Sequence, residues 1–114
     1  MAEVGRRGAG RCTWFRYLTS MTHIVVTWHH ENADYPVELF SELDDKRFEV
    51  RKVEVFRGGR RCFADASSHS GNTALGIEPV PPLDEIASDR QFTPRTITRE
   101  EFEAAWIAAT RPSE

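Results

Sequence analysis

The sequence predicts an α+β domain, an antiparallel sheet of about four strands followed by two helices packed on one face of it. Three observations predict it. Runs of β-branched and aromatic residues alternating with polar ones are confined to Thr22–Asp65, the links between them are short, and helical signatures begin only after Pro81. At 114 residues, with 29% charged and 39% hydrophobic side chains, the chain has the size and composition of one globular domain with its own core. A single domain is expected over residues 21–110, with 111–114 as a tail.

Thr22–His30 opens the sheet, with Ile24, Val26 and Trp28 alternating against Thr27 and His29. A polar loop leads to Pro36, whose missing N–H suits the entry to a strand. In the second strand Val37, Leu39 and Leu43 alternate with Glu38, Phe40 and Glu42, and the Asp44-Asp45-Lys46 stretch makes a turn. The third strand, Arg47 to Phe56, contains a phase slip: Phe48 and Val50 share one face, whereas Val53 and Val55 continue the apolar set one residue out of register. Because a one-residue slip sends side chains to the opposite face, either both faces are covered or a β-bulge lies near Arg51 and Lys52, and the bulge is favoured. Gly58-Gly59 suits a hairpin turn, and Arg61–Asp65 is the return strand.

From Ser67 to Pro82 the composition shifts to Ser, Gly, Asn and Pro, which predicts a long loop crossing from sheet to helices. A short helix follows Pro81, with Pro82 in its first turn and acids near the positive end of its dipole. The last helix has the clearest start: Thr98 is the N-cap, Glu101 completes a capping box, and Ile97 is placed to pack on Phe102. Phe102, Ala105, Trp106 and Ala109 then share one face, and burying Phe102 and Trp106 contributes roughly 1.5–3 kcal/mol each.

The net charge of −3 is unevenly placed, since Arg6, Arg7, Arg11 and Arg16 against Glu3 give the first twenty residues +3 and leave −6 for the remainder. Residues 1–20 are expected to be a disordered basic extension, or alternatively a basic arm for nucleic acid or membrane. Arg16 interrupts Trp14, Phe15, Tyr17 and Leu18, so no signal-peptide or membrane-spanning run is expected. Cys12 and Cys62 are the whole cysteine complement, which suits a reducing cytoplasm better than an oxidising compartment.

No motif in the chain amounts to a catalytic or cofactor site. His23 and His29 lie on one side of the first strand and His30 on the other, without partners at zinc spacing, so surface histidines are expected and no metal or cofactor. Glu49 is followed at nuclease spacing by Arg51, a poor general base, and Ser67, Ser68 and Ser70 beside His69 lack a strand-to-helix elbow. The acids and bases of Ser41–Arg60 are better explained as cross-strand pairs, Glu38 and Glu42 facing Arg47, Arg51 or Lys52.

Trp28-His29-His30, Pro36-Val37, Phe40-Ser41-Glu42-Leu43-Asp44, the run Arg47–Phe56 and the helix from Ile97-Thr98 to Trp106 resemble a family of small bacterial proteins, domain of unknown function 6881. The resemblance spans about residues 21–109, leaves 1–20 outside, and is most specific over Phe40 to Gly59. It implies a compact cytoplasmic protein with Glu42, Asp44, Arg47, Glu49, Arg51, Lys52 and Glu54 on matching positions, and carries no catalytic residue across.

The leading expectation is therefore a non-enzymatic module for a protein partner, of the toxin-immunity or antitoxin kind, whose acidic body suits a basic partner. Trp28, His29, Glu42, Asp44, Arg47, Glu49, Arg51, Lys52 and Glu54 are its candidate interaction surface. A second expectation is a nucleic-acid-associated factor using the basic hairpin of Arg57, Arg60 and Arg61. A third is a small metal-dependent hydrolase in which His29, Glu42 and Glu49 converge. The oligomeric state is open, although the first strand could lie at the sheet edge and so could pair with a second copy in a homodimer.

Overall fold

A computed structural model describes residues 21–111. The expected extension over residues 1–20 and the tail beyond Arg111 lie outside them. The elements, in chain order, are β1 (Thr22–Trp28), β2 (Glu38–Leu43), β3 (Glu49–Val55), β4 (Arg61–Ala64), α1 (Leu83–Ala87), β5 (Phe92–Thr96) and α2 (Arg99–Thr110). The strands form one antiparallel sheet in the order β4-β3-β2-β1-β5. The α+β class holds, with five strands where four are expected.

The added strand, β5, explains two further differences. It pairs along β1 from Phe92 opposite Trp28 to Thr96 opposite Ile24, so β1 is interior and offers no edge for a second copy. Pro94 hides this strand from a reading of the sequence, yet it is compatible with the ladder. The amides of Ile97 and His29 donate to His23 and Gln91 carbonyls, which makes residues 93 and 95 the inward-bonding positions and turns the site of the missing Pro94 N–H outward. A proline at that place also blunts the edge against further pairing.

The phase slip in β3 is a bulge. Glu42 faces Arg51 but Leu43 faces Glu49, so Val50 is the extra residue, just upstream of the expected place. The bulge sorts the charges of the strand. Arg51 stands on one face with Val53, while Glu49, Lys52 and Glu54 stand on the other. At the far end of β3, Phe56 accepts from Gly59 and donates to Arg60, and Gly59 takes φ +99°, closing the hairpin as expected.

α2 crosses the face bearing Val25, Phe40, Val53 and Phe63. Val25, Ile97 and Phe102 form its buried core, with Phe40 and Trp106 packed against them. Phe63 meets Trp106 edge-on with ring centroids 5.4 Å apart. The capping box is complete, since the Thr98 hydroxyl accepts from the Glu101 amide and the Glu101 carboxylate accepts from the Thr98 amide.

The opposite face is covered differently. The irregular segment from Ala66 to Pro82 lies over Glu49, Lys52 and Glu54, and α1 stands beside Ile24, Val26 and Leu39. The two helices thus flank opposite faces instead of sharing one, because β5 carries the chain back across the sheet between them.

Candidate functional site

Most of the charged candidates are engaged inside the fold. On the α2 face, Arg51 Nε donates to Glu42 Oε1 at 2.7 Å and Nη2 to Glu42 Oε2 at 2.9 Å, while both Nη groups also reach the Glu103 carboxylate. His23 Nε2 lies 2.9 Å from Glu42 Oε2, and the Arg51 guanidinium stacks 4.9 Å from the Phe102 ring centre and 5.0 Å from that of Trp106. His23 and Glu42 are both buried, so His23 is a core residue and not the surface histidine expected. Burial pushes the Glu42 carboxyl up, but hydrogen bonds from Arg51 and His23 outweigh it and hold the group below its ordinary value. The Glu42 hydrogen bond in turn raises Arg51 further above its already high range.

On the opposite face the charges clamp the covering segment. Glu49 Oε1 accepts from the Gly76 amide at 2.6 Å and Oε2 from the Ser41 hydroxyl at 3.2 Å. Glu54 Oε1 accepts from the Thr73 hydroxyl at 2.7 Å, and Lys52 Nζ donates to the Ala74 carbonyl at 3.3 Å while lying 3.6 and 3.8 Å from Glu49 and Glu54. Arg47 adds a clamp from the β2–β3 turn, where Asp44 Oδ1 accepts from the Lys46 and Phe48 amides. Arg47 takes φ 70°, a left-handed conformation costing about 1–2 kcal/mol for a residue with a side chain. Its guanidinium donates to the carbonyls of Val80 and Pro81, both at 2.7 Å. Residues 73–81 therefore form a strap tied down by six hydrogen bonds: one each to Glu54, Lys52 and Glu49 on the sheet, and three to Arg47 in the β2–β3 turn, two from its guanidinium and one to its carbonyl.

Trp28 and His29 fall at the end of β1 on opposite faces. Trp28 contacts His30, Tyr35 and Phe92 with ring centroids 4.5, 5.6 and 5.7 Å apart. His29 is exposed and hydrogen-bonds Thr93 across to β5. His29, Glu42 and Glu49 do not converge, for Glu42 is buried under α2 and Glu49 is on the strap face. Among the described residues no group of three or more His, Cys, Asp or Glu side chains is arranged to hold a metal ion. Ser67 and Ser68 cap a turn on Asp65, whose carboxyl their backbone amides hold below its ordinary value, and Ser70 pairs with Phe63. The serine-rich loop is turn chemistry.

Nor do the basic residues of the hairpin make one strip. Arg57 donates to the His30 carbonyl, Arg60 covers the Phe56 ring at 4.0 Å, and Arg61 borders the groove beside α2 with Phe40 and Ala105.

The strap and α1 leave a cavity of about 360 Å3 against the sheet. Ile24, Val26 and Leu39 form its floor, Val80, Pro81, Ile86 and Phe92 its walls, and Ser41, Glu49, Glu85 and Asp89 its polar boundary. Beside it, a second cavity of about 440 Å3 opens between Trp28, Tyr35, Phe56, Arg60 and Thr73. Ile77, 87% exposed, projects from the strap between Gly76 and Val80, and Tyr35 is 51% exposed against Trp28. None of Ile86, Phe92 and Val80 stood out in the sequence, because the cavity exists only once β5 is placed. The one available signal was Phe92 and Pro94 alternating with Thr93 and Arg95.

The sequence model of a family described as Domain of unknown function (DUF6881) matches residues 22–111. Comparison with curated proteins and with solved structures found no match.

Proposed function

The chain belongs to the DUF6881 family, and from that premise we propose that it is a non-enzymatic module that binds a protein partner through the strap-covered face of its sheet. The cavity between strap, α1 and sheet carries the proposal: an open apolar hollow of about 360 Å3 falls within the range that binding sites occupy. Ile77 is carried by the strap and Tyr35 packs on Trp28 at the end of β1, and an isoleucine 87% exposed on the segment that walls an apolar hollow is the kind of residue that partners cover. The charged strand has a different role in this reading. Its side chains build and hold the face that the partner meets, which moves the contact surface from Glu42 and Arg51 to the strap, α1 and the Trp28 end of β1.

The acidic balance of residues 21–114, −6, supports a basic partner and faster encounter with it. A reducing, cytoplasmic setting is supported by the sparse cysteines and by Cys62, which is buried with a free thiol. No helix among the described residues is long and apolar enough to cross a membrane. The test is retention of a partner from native lysate by purified variants: Ile77→Asp loses a stoichiometric partner that the wild type and Ile107→Asp retain. Retention by Ile77→Asp together with loss by Ile107→Asp, on the α2 side, would move the surface to the other face.

A further inference from the structure

We infer that the cavity beneath α1 takes a two-ring apolar side chain of the partner, a tryptophan, set beside a lysine or arginine in the partner's own sequence. The inference rests on the strap-covered face as the contact surface and adds the chemistry of the anchor to it.

Size selects the anchor. An apolar cavity of about 150 Å3 is enough for one benzene ring. At about 360 Å3 the present cavity is somewhat more than twice as large, so a two-ring group fills it where alanine or valine leaves a void. Val26, Leu39, Ile86 and Phe92 supply an apolar lining for such a ring system.

Charge selects the neighbour. The ionisable side chains bordering the cavity are all acids, Glu49, Glu85 and Asp89. Glu49 is already engaged by Gly76, Ser41 and Lys52, whereas Glu85 and Asp89 are exposed at the mouth. The Gln91 amide donates to Asp89 Oδ1, which fixes that carboxylate without neutralising it. Arg47 is spent inside the fold on the Val80 and Pro81 carbonyls and Lys52 beside Glu49, which leaves Glu85 and Asp89 as the exposed charges of the lining. A cation beside the anchor is therefore attracted and an anion repelled. The neighbouring cavity gives a contrast, since Asp34, Glu54 and Arg60 border it with both signs and impose no such preference.

Capped tripeptides with a central Trp and flanking Arg, Gln or Glu test both halves on the full chain, read by amide chemical shifts. The Arg peptide is expected to shift Val26, Leu39, Ile86 and Phe92 and to bind about fivefold more tightly than the Gln peptide, with the Glu peptide weakest. Substituting Glu85→Gln and Asp89→Asn, both exposed, should bring the Arg peptide to the affinity of the Gln peptide. A peptide with central Ala between Arg residues should leave the cavity amides unmoved. Equal affinity for Arg, Gln and Glu peptides overturns the charge half, and equal binding of the Ala peptide overturns the anchor. Absence of shifts at the cavity with every peptide overturns the whole inference. The broader contact surface is judged separately, by whether Ile77→Asp still releases the native partner.

Discussion

Arg51 forks onto Glu42, with Nε and Nη2 at 2.7 and 2.9 Å from the two carboxylate oxygens, beneath the rings of Phe102 and Trp106. The pair joins β2, β3 and α2 through one guanidinium, because Arg51 also reaches Glu103 on the helix. Glu42 is the more deeply buried partner, with its side chain 8% exposed against 20% for Arg51 and 35% for Glu103. Removing the arginine thus leaves a buried carboxylate with His23 alone as its side-chain partner, whereas removing Glu103 leaves the Arg51–Glu42 pair intact. Arg51→Ala should cost about 3 kcal/mol in urea unfolding, and Glu103→Ala less than about 1 kcal/mol. Equal costs would show that the helix contact, and not the carboxylate beneath it, dominates.

Acid should act through the same carboxylate. Its folded value lies below the ordinary 4.5, so its contribution to stability is complete above that value and is lost as pH falls through the folded value. Glu42→Gln is expected to be less stable than wild type at neutral pH and to lose less between about pH 5 and 3. Urea midpoints measured across that window check it, and parallel losses in the two proteins would assign acid sensitivity elsewhere.

The strap makes a local prediction. Gly76 N–H donates to Glu49 at 2.6 Å, and Val80 N–H donates to the Arg47 carbonyl at 2.8 Å. Replacing Glu49 by Gln weakens a charge-assisted bond, so the Gly76 amide should exchange about tenfold faster while core amides such as Phe102 do not change. Acceleration spread evenly over the chain would mean that Glu49 supports the whole fold and not the strap.

Much of this was legible in the sequence, and the misses have a common physical origin. Alternation located β1 to β4, the Thr98–Glu101 spacing located the cap of α2, and the phase slip located the bulge, because each is a local pattern written in consecutive residues. β5 has Pro94 in its middle and polar residues at Thr93, Arg95 and Thr96, and its place comes from long-range pairing with β1. The sorting of charges between faces was hidden for a related reason. Moving the bulge by one residue exchanges Arg51 with Lys52, and only the registered sheet shows which of them meets Glu42.

Two glycines differ in both space and conformation. Gly71 has φ +57°, and a Cβ there would stand 2.9 Å from the buried Cys62 Sγ, whereas a Cβ at Gly58 meets nothing within 4 Å. Gly71→Ala should cost about 1–3 kcal/mol and loosen the start of the strap segment. Gly58→Ala, by contrast, should leave the urea midpoint within about 0.5 kcal/mol of wild type. Similar costs at both positions would contradict the left-handed backbone and close approach to Cys62 at Gly71.

Whether the strap-covered face is the face that meets a partner is decided by photo-crosslinking in native lysate from a benzophenone side chain placed at Ile77 or at Ile107. The two positions are exposed, on the strap and on α2 respectively, so each reports one side of the sheet without disturbing the core. One saturable adduct from position 77 and none from position 107 is the predicted result; an adduct from position 107 with none from 77 would contradict it.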